Sequence, residues 1–223
     1  MDLPELVIFD MDGTILDTEA VSLLAFGRVA RALGEEMPPE FFRSFMGRNA
    51  AAAKRLFDGR FGGRIDFAEA FAMHQGFVDR HMEENGVPVK KGLAELLDGL
   101  ERRGVKKCVA TSTARAAAEK RLAKAGLLPR FMLLVCGDEV RESKPDPEIF
   151  QKAAALCGAR SEKSLVVEDS AAGALAAAAA GIPYVIVPDL APLPDWAREG
   201  ALAVCAELGE ILGLFGRNGG WQK

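Results

Sequence analysis

Five short, mostly apolar segments constrain the fold of this chain more than any other feature. They are Leu6–Phe9, Lys107–Ala110, Met132–Cys136, Leu165–Val167 and Tyr184–Val187. Their apolar residues are continuous rather than alternating, as expected of strands that are buried on both faces. Helical patterns over Arg115–Ala125, Asp146–Cys157 and Ala171–Ala180 separate the last four. This alternation predicts an α/β fold, a doubly wound parallel sheet with helices on both faces.

The long interval between the first two strands breaks this rhythm. Four helical patterns fill much of it: Glu19–Leu33, a short helix from Pro38 to Phe45, Asn49–Phe57 and Phe67–Met82. The last carries a stripe at helical spacing, made of Phe67, Phe71, His74, Val78 and Met82, which we expect to form a local core. We therefore expect a helical insertion over residues 17–88 and a discontinuous α/β core over residues 1–16 and 89–223. After Ala191, the pattern predicts a loop at PLPDW and a closing helix over Ala201–Leu214.

Composition narrows the class of protein. The chain has 223 residues, 49% hydrophobic and 27% charged, with a formal net charge of −4. This composition is too apolar and too weakly charged for a disordered chain, and its mild acidity argues against a nucleic-acid partner. No apolar run approaches the roughly 20 residues that span a bilayer, and no secretory signal pattern opens the chain. We expect a cytoplasmic monomer or weak dimer. Its four cysteines lack metal-ligand spacing and are expected to be buried, reduced thiols.

Polar residues lie where the predicted strands end. Asp10, Asp12, Gly13 and Thr14 follow the first strand, Thr111, Ser112 and Thr113 the second, and Glu168 and Asp169 the fourth, while Lys144 precedes the helix after the third. In an open parallel sheet, ligands bind beyond the carboxyl ends of the strands. These side chains should therefore converge on one edge of the sheet.

The residue types in this group indicate phosphoryl chemistry. Crowded carboxylates repel one another, and a hard divalent cation offsets that repulsion; Mg²⁺ fits oxygen ligands best. Hydroxyl groups and one ammonium supply donors for phosphoryl oxygens. An aspartate beside the metal can attack phosphorus, and a second aspartate two residues later can move protons.

Four segments carry a resemblance to a known family. FDMDGTILDTE, VATST, SKPDPEIF and VVEDSAAG resemble the motifs of the haloacid dehalogenase superfamily, in its phosphatase branch. Their order is similar to that in the β-phosphoglucomutase-like subgroup, whose helical cap domain matches the predicted insertion. The resemblance covers nearly the whole chain. It is highly specific for the superfamily and weakly specific for the substrate.

The resemblance implies a role for each matching residue. Asp10 is the nucleophile and a Mg²⁺ ligand, and Asp12 is the general acid and base whose backbone carbonyl also binds Mg²⁺. Thr111 and the Ser112 amide hold the phosphoryl group, and Lys144 neutralises charge on Asp10 and the phosphoryl oxygens. The remaining implied residues are Asp169 as a direct metal ligand, Glu168 supporting the metal, and Thr14 at the phosphate site, where it orients the Asp12 loop.

Two positions depart from the mutases of this subgroup. Those enzymes place a histidine on the first cap helix, where Ser22 aligns here, and an arginine a few residues after a cap glycine. In this chain Arg48 follows Gly47 directly, and it stays a candidate for contact with an anionic substrate, as does Arg115. Both departures favour hydrolysis.

The sequence therefore predicts a Mg²⁺-dependent phosphatase for a small phosphorylated metabolite, with a sugar or polyol phosphate as the first candidate. Four alternatives stay open: a β-phosphoglucomutase-type phosphotransferase, a phosphoglycolate phosphatase, a nucleotide phosphatase, and a non-catalytic phosphate-binding protein.

Overall fold

Six parallel strands form a single sheet in the computed structural model, which describes residues 2–45, 50–191 and 193–216. The strands are β1 (Leu6–Phe9), β2 (Lys106–Ala110), β3 (Leu134–Val135), β4 (Ser164–Glu168), β5 (Tyr184–Ile186) and β6 (Ala203–Val204). Their order in the sheet is β3-β2-β1-β4-β5-β6, so β1 lies between β2 and β4. The predicted parallel sheet is confirmed.

The helices follow the predicted order along most of the chain. They are α1 (Thr18–Leu33), α2 (Pro39–Arg43), α3 (Ala50–Phe61), α4 (Phe67–Asn85), α5 (Leu93–Glu101), α6 (Arg115–Lys124), α7 (Glu148–Leu156), α8 (Ala171–Ala179), α9 (Asp195–Glu199) and α10 (Ile211–Leu214). None of the helices in the described ranges has both the length and the hydropathy that crossing a membrane requires.

The sheet is buried on both faces, which explains its unbroken apolar strands. Val7 and Phe9 of β1 pack on one face with leucines of α5, while Leu6 and Ile8 pack on the other face with residues of α7. Helices α6 and α10 also cover the first face, and α8 and α9 cover the second. The candidate polar residues therefore lie where the strands end rather than on the two faces of the sheet.

The helices α1–α4 have hydrophobic clusters of their own. One joins aromatic residues of α1, α2 and α3, including Phe26, Phe42 and Phe57. A smaller one joins α1 to the second half of α4 through Val78 and Met82. These clusters hold α1–α4 together without contributions from the sheet.

Two neighbouring chain segments connect this helical insertion to the sheet. The Asp17 amide donates to the Pro88 carbonyl at 2.9 Å, and the Lys90 amide donates to the Ile15 carbonyl at 3.0 Å. The entering and leaving segments therefore pair side by side.

The structure corrects the predictions for the end of the chain. The expected loop at PLPDW contains α9, and the expected helix over Ala201–Leu214 instead contains β6 and, after it, the short α10. Strand β6 pairs with β5 at the edge of the sheet, so tertiary pairing overrides the helical propensity of this Ala- and Leu-containing stretch. Cys205, also expected on that helix, is buried just after β6. Strand β3 is shorter than predicted, and Met132, expected within it, is 59% exposed.

Candidate active site

Three carboxylates meet at the carboxyl edge of the sheet. Asp10 follows β1, Glu168 ends β4 and Asp169 comes next, and one carboxylate oxygen from each lies within 4.8 Å of those of the other two. The register pairs Phe9 with Val167, which places Asp10 beside Glu168. All three side chains are buried. We call these residues the acidic cluster.

Lys144 reaches into the acidic cluster from the segment before α7. Its Nζ lies 2.5 Å from Asp10 Oδ1 and 2.6 Å from Glu168 Oε1, and it also donates to the Ala110 carbonyl at 3.2 Å. Burial alone would lower the pKa of Lys144, but the two carboxylates outweigh burial and raise it. This ammonium therefore stays charged inside the site.

One ammonium does not neutralise the acidic cluster. Burial raises the pKa of Asp10 to about 8, although Lys144 lowers it. Burial, reinforced by Glu168 and Asp10, raises the pKa of Asp169 well above its usual range. Buried carboxylates of this density favour a site that takes up a further cation.

Two glycines leave room for the carboxylates because they have no side chain. Gly13 has φ = 83°, and a Cβ there would lie 2.4 Å from Asp169 Oδ2. A Cβ on Gly173, in the first turn of α8, would lie 1.9 Å from the Glu168 carboxylate. The Glu168 carboxylate also accepts hydrogen bonds from the amides of Asp169 and Ser170, both at 3.0 Å. The backbone therefore determines where these carboxylates lie.

The donor set fits a divalent cation with oxygen ligands. Thr14 is fully buried, and its hydroxyl donates to Asp169 Oδ1 at 3.1 Å, so Thr14 contacts Asp169 rather than the carboxylate of Asp12. Asp189, which follows β5, lies near Asp169: a Cβ on Gly13 would be close to Oδ2 of both residues. Its Oδ1 accepts from Lys90 at 2.8 Å, while its buried Oδ2 has no hydrogen-bond partner. Sequence reasoning missed Asp189, although the strand-end rule that selected the other carboxylates applies to it.

Asp12 lies apart from the acidic cluster and is held by three donors. Thr18 donates to Oδ1 at 2.7 Å, Thr113 donates to Oδ2 at 2.6 Å, and Arg121 Nη1 donates to Oδ1 at 3.0 Å. The second aspartate of the motif therefore points differently from Asp10.

Arg121 connects the core to the helical insertion. Its Nη2 lies 3.3 Å from Gln75 Oε1 on α4, and its buried Nε has no hydrogen-bond partner. Sequence reasoning also missed this residue. In the sequence, Arg121 is only one residue of a predicted helix, and its contact with Asp12 exists only in the tertiary structure.

The remaining predicted residues fall in different places. Thr111 is buried at the floor of the site, and its Oγ1 accepts from the Thr113 amide at 3.1 Å; Ser112 is exposed beside it. Arg48 lies outside the described residues. Arg115 is not free for a substrate, because it donates to Glu139 at 2.7 Å and to Glu119 at 2.9 Å.

A cavity of about 840 Å³ joins the sheet edge to the helical insertion. Its floor contains Asp10, Asp12, Thr111, Ser112, Lys144, Glu168 and Asp169. Its opposite side carries six aromatic residues, which we call the cap wall: Phe26, Phe42, Phe45, Phe57, Phe67 and Phe71. The prediction that the α4 stripe forms a core is therefore wrong for Phe71, which is 49% exposed and lines the cavity.

A histidine borders both sides of the cavity. His74 Nε2 lies 3.0 Å from the Ser22 carbonyl, and burial lowers the pKa of its imidazole. The ring is therefore neutral near pH 7, with one nitrogen occupied by the backbone. Helix α4 thus brings His74 next to Ser22, the position where the sequence has a serine and the mutases of the subgroup have a histidine.

Comparison with known proteins agrees with this geometry. A phosphorylated carbohydrates phosphatase of Thermotoga maritima is 32% identical over 184 residues, which cover 80% of this chain and 82% of the relative. A phosphoglycolate phosphatase of Cupriavidus necator is 33% identical over 187 residues, covering 81% and 79%. The crystal structure of CbbY from Rhodobacter sphaeroides in complex with phosphate superimposes with a TM-score of 0.78, at 25% identity and coverage of 94% and 96%.

The family assignment follows from the extent of the match. The sequence profile for haloacid dehalogenase-like hydrolases matches residues 7–187, a range that contains the acidic cluster, Asp12, Lys144 and α1–α4. This chain belongs to the haloacid dehalogenase-like hydrolase family.

Proposed function

We propose that this chain is a Mg²⁺-dependent phosphatase that hydrolyses a small phosphorylated metabolite through an aspartyl-phosphate intermediate. The contact of Lys144 with both Asp10 and Glu168, on the floor of a cavity, is the observation that carries the proposal. It supports the proposal because a carboxylate of the kind that acts as a nucleophile, a permanent positive charge and further carboxylate oxygens of the kind that bind metal ions lie within one small volume.

Each residue of the floor has a role in binding. Asp10, Asp169, Glu168 and the Asp12 carbonyl would hold Mg²⁺, which when bound would withdraw negative charge from the phosphoryl oxygens. Thr111, the Ser112 amide and Lys144 supply donors to the same oxygens.

The reaction has two halves that use both aspartates. In the first, an Asp10 carboxylate oxygen attacks phosphorus, the bond from phosphorus to the leaving oxygen breaks, and Asp12 gives that oxygen its proton. In the second, Asp12 takes a proton from water, and the resulting hydroxide attacks phosphorus, releasing phosphate and freeing Asp10. Asp12 returns to its protonated form, so the proton balance closes over one turnover.

The helical insertion excludes bulk water from the first half of the reaction. The cavity lies between the sheet edge and α1–α4, so movement of these helices would admit substrate and water alternately. The paired segments beside Asp17 and Lys90 are the connections through which such movement would occur.

The names of the relatives support a metabolite ester as the substrate. One relative is named for phosphorylated carbohydrates and another for phosphoglycolate. A sugar or polyol phosphate is therefore the first class to assay, with phosphoglycolate as the second.

The decisive test measures phosphate release from such esters with Mg²⁺ and with EDTA, using the native chain and Asp10→Asn. We expect release only with Mg²⁺, and a loss of at least about 10³-fold in kcat for Asp10→Asn because the nucleophile is gone. Asp98→Asn, an exposed aspartate on α5, is the matched control and should keep full activity. Undiminished activity in Asp10→Asn would refute the mechanism.

One observation keeps a second candidate function in view. His74 lies at the Ser22 backbone, where the mutases of the subgroup place a histidine from the first cap helix. A phosphotransferase of the β-phosphoglucomutase type would convert a hexose 1-phosphate to its 6-phosphate without net release of phosphate. Following both products in one assay separates this activity from hydrolysis.

A further inference from the structure

The cap wall offers a substrate mainly hydrocarbon surface. Phe71, at 49% exposure, opens into the cavity, and its ring stacks on that of Phe67 with centroids 5.8 Å apart. Phe67 packs in turn against Phe57 at 5.5 Å. An aromatic face held in place by its neighbours, yet open to water, gains free energy when an apolar group covers it.

Two polar side chains of α4 that line the cavity, His74 and Gln75, are already engaged. His74 Nε2 is bonded to the Ser22 carbonyl, and Gln75 Oε1 is bonded to Arg121. Among the described residues that line the cavity, the lysines and arginines are Arg121, Arg141 and Lys144, and all three belong to the core. The described part of the insertion therefore presents no cation to a second phosphate.

A leaving group in which every carbon carries a hydroxyl group matches the polar floor of the cavity but not the aromatic cap wall. Hydroxyl groups facing the Phe67 and Phe71 rings would lose water without gaining hydrogen bonds, which costs free energy. The cavity, at about 840 Å³, also has far more room than a phosphoryl group needs and falls in the size range of sites for larger organic ligands.

We infer that the physiological substrate is a phosphate monoester whose leaving alcohol carries an apolar portion that lies against Phe67 and Phe71. This inference rests on the proposed phosphatase function but departs from the sugar or polyol phosphates suggested by the relatives' names, which serve as the comparison class in the test. The phosphoryl group and the oxygen that joins it to the alcohol lie at Asp10 and Asp12, and the apolar portion of the alcohol extends toward α4.

A series of primary alkyl phosphates tests the inference, because chain length changes while the chemistry of the leaving oxygen does not. We expect kcat/KM with Mg²⁺ to rise from ethyl to butyl to hexyl phosphate, by about fourfold for each methylene that becomes buried. Hexyl phosphate should also exceed glucose 6-phosphate.

Substitutions in the cap wall test whether its residues cause the rise of kcat/KM with chain length. Phe71→Ala should lower kcat/KM for hexyl phosphate by about tenfold, and by less for ethyl phosphate, because one buried aromatic contact is lost. Phe71→Leu, which keeps an apolar side chain, should recover most of the loss. Leu24→Ala is the matched control: Leu24 is 59% exposed on α1 and does not line the cavity, so the series should be unchanged.

The outcomes separate this inference from the proposed function. A flat alkyl series, or equal effects of Phe71→Ala on ethyl and hexyl phosphate, overturns the inference and leaves the phosphatase in place. Failure of a cooperatively folded chain to hydrolyse any of the esters, including ethyl phosphate and glucose 6-phosphate, overturns both.

Discussion

The two sides of the cavity are built on opposite physical principles. The floor is made of charged side chains, and two of them, Lys144 and Glu168, are each held by several short polar contacts. The cap wall is made of aromatic rings that contact one another, as Phe67 and Phe71 do. Charges must be placed precisely to act on a reacting phosphorus, whereas apolar surface only needs to be covered. We therefore expect changes in the floor to affect the reaction and changes in the cap wall to affect which ester is chosen.

The largest effect is expected from removing the positive charge of the floor. Lys144→Met leaves two buried carboxylates without their partner and should lower the free energy of unfolding by about 3–5 kcal/mol, measured by urea denaturation in EDTA. Mg²⁺ should reduce the difference in stability between Lys144→Met and the native chain, because it supplies positive charge to the same carboxylates. Lys54→Met removes an exposed ion pair with Asp58 and should cost less than about 1 kcal/mol. Equal losses in both variants would show that burial does not distinguish the floor from the surface.

A smaller change to the floor tests its backbone. Gly173→Ala forces a Cβ against the Glu168 carboxylate, so Mg²⁺ should bind about 10–100-fold more weakly, as measured by the Mg²⁺ dependence of Tm and of kcat. Gly76→Ala, within α4, meets open space and should leave Mg²⁺ binding unchanged. Unaltered Mg²⁺ affinity in Gly173→Ala would mean that Glu168 does not support the metal.

Arg121 tests the connection between the floor and the insertion. Arg121→Met removes one of the three donors to Asp12 and the contact with Gln75, so we expect kcat to fall by about tenfold with little change in KM. Arg121→Lys should recover part of kcat. Arg115→Met, on the same helix but paired with Glu139 and Glu119, serves as the control. A rise in KM alone would assign Arg121 to substrate binding instead.

The smallest expected effect is a pH dependence of stability that arises from Glu19, where the floor meets the insertion. Burial raises the pKa of Glu19, on α1, from 4.5 to about 7. The folded chain therefore binds more protons than the unfolded chain between these values, so stability is retained below pH 4.5 and falls as the pH rises through about 7. Glu19→Gln should be more stable than the native chain by about 1 kcal/mol at pH 8 in EDTA, with the difference vanishing near pH 4.5.

Melting curves across this pH range check that prediction. Glu84→Gln, an exposed glutamate of α4, should follow the native chain at every pH. A Glu19→Gln variant that is less stable at pH 8 would show that the carboxylate is stabilised by its surroundings, not penalised by burial.

Much of the core was predictable because its signals are local. Strand β1 lies where the apolar run Leu6–Phe9 predicts it, since a strand buried on both faces needs continuous apolar residues. The convergence of Asp10, Glu168 and Lys144 was predictable as well, because parallel strands place their carboxyl ends at one edge. The short strand β6 was not, because its two residues are held by pairing with β5 and carry no periodic signal.

The unpredicted parts of the site all depend on contacts between distant segments. Arg121 meets Asp12 across 109 positions of sequence, and His74 meets the Ser22 carbonyl across 52. Helical spacing placed Phe71 on an apolar stripe with Met82, but only the packing of α1–α4 buries one end of that stripe and opens the other to the cavity.

The sequence by itself determined the parallel sheet, the helical insertion and the types of residue at the strand ends, because periodicity and strand-end position are properties of neighbouring residues. The tertiary structure decided which donors hold Asp12, which carboxylate oxygen is left without a partner, and that the surface facing the phosphoryl site is aromatic. These features follow from how α4 and α6 pack against the sheet edge, and no local pattern of side chains specifies that packing.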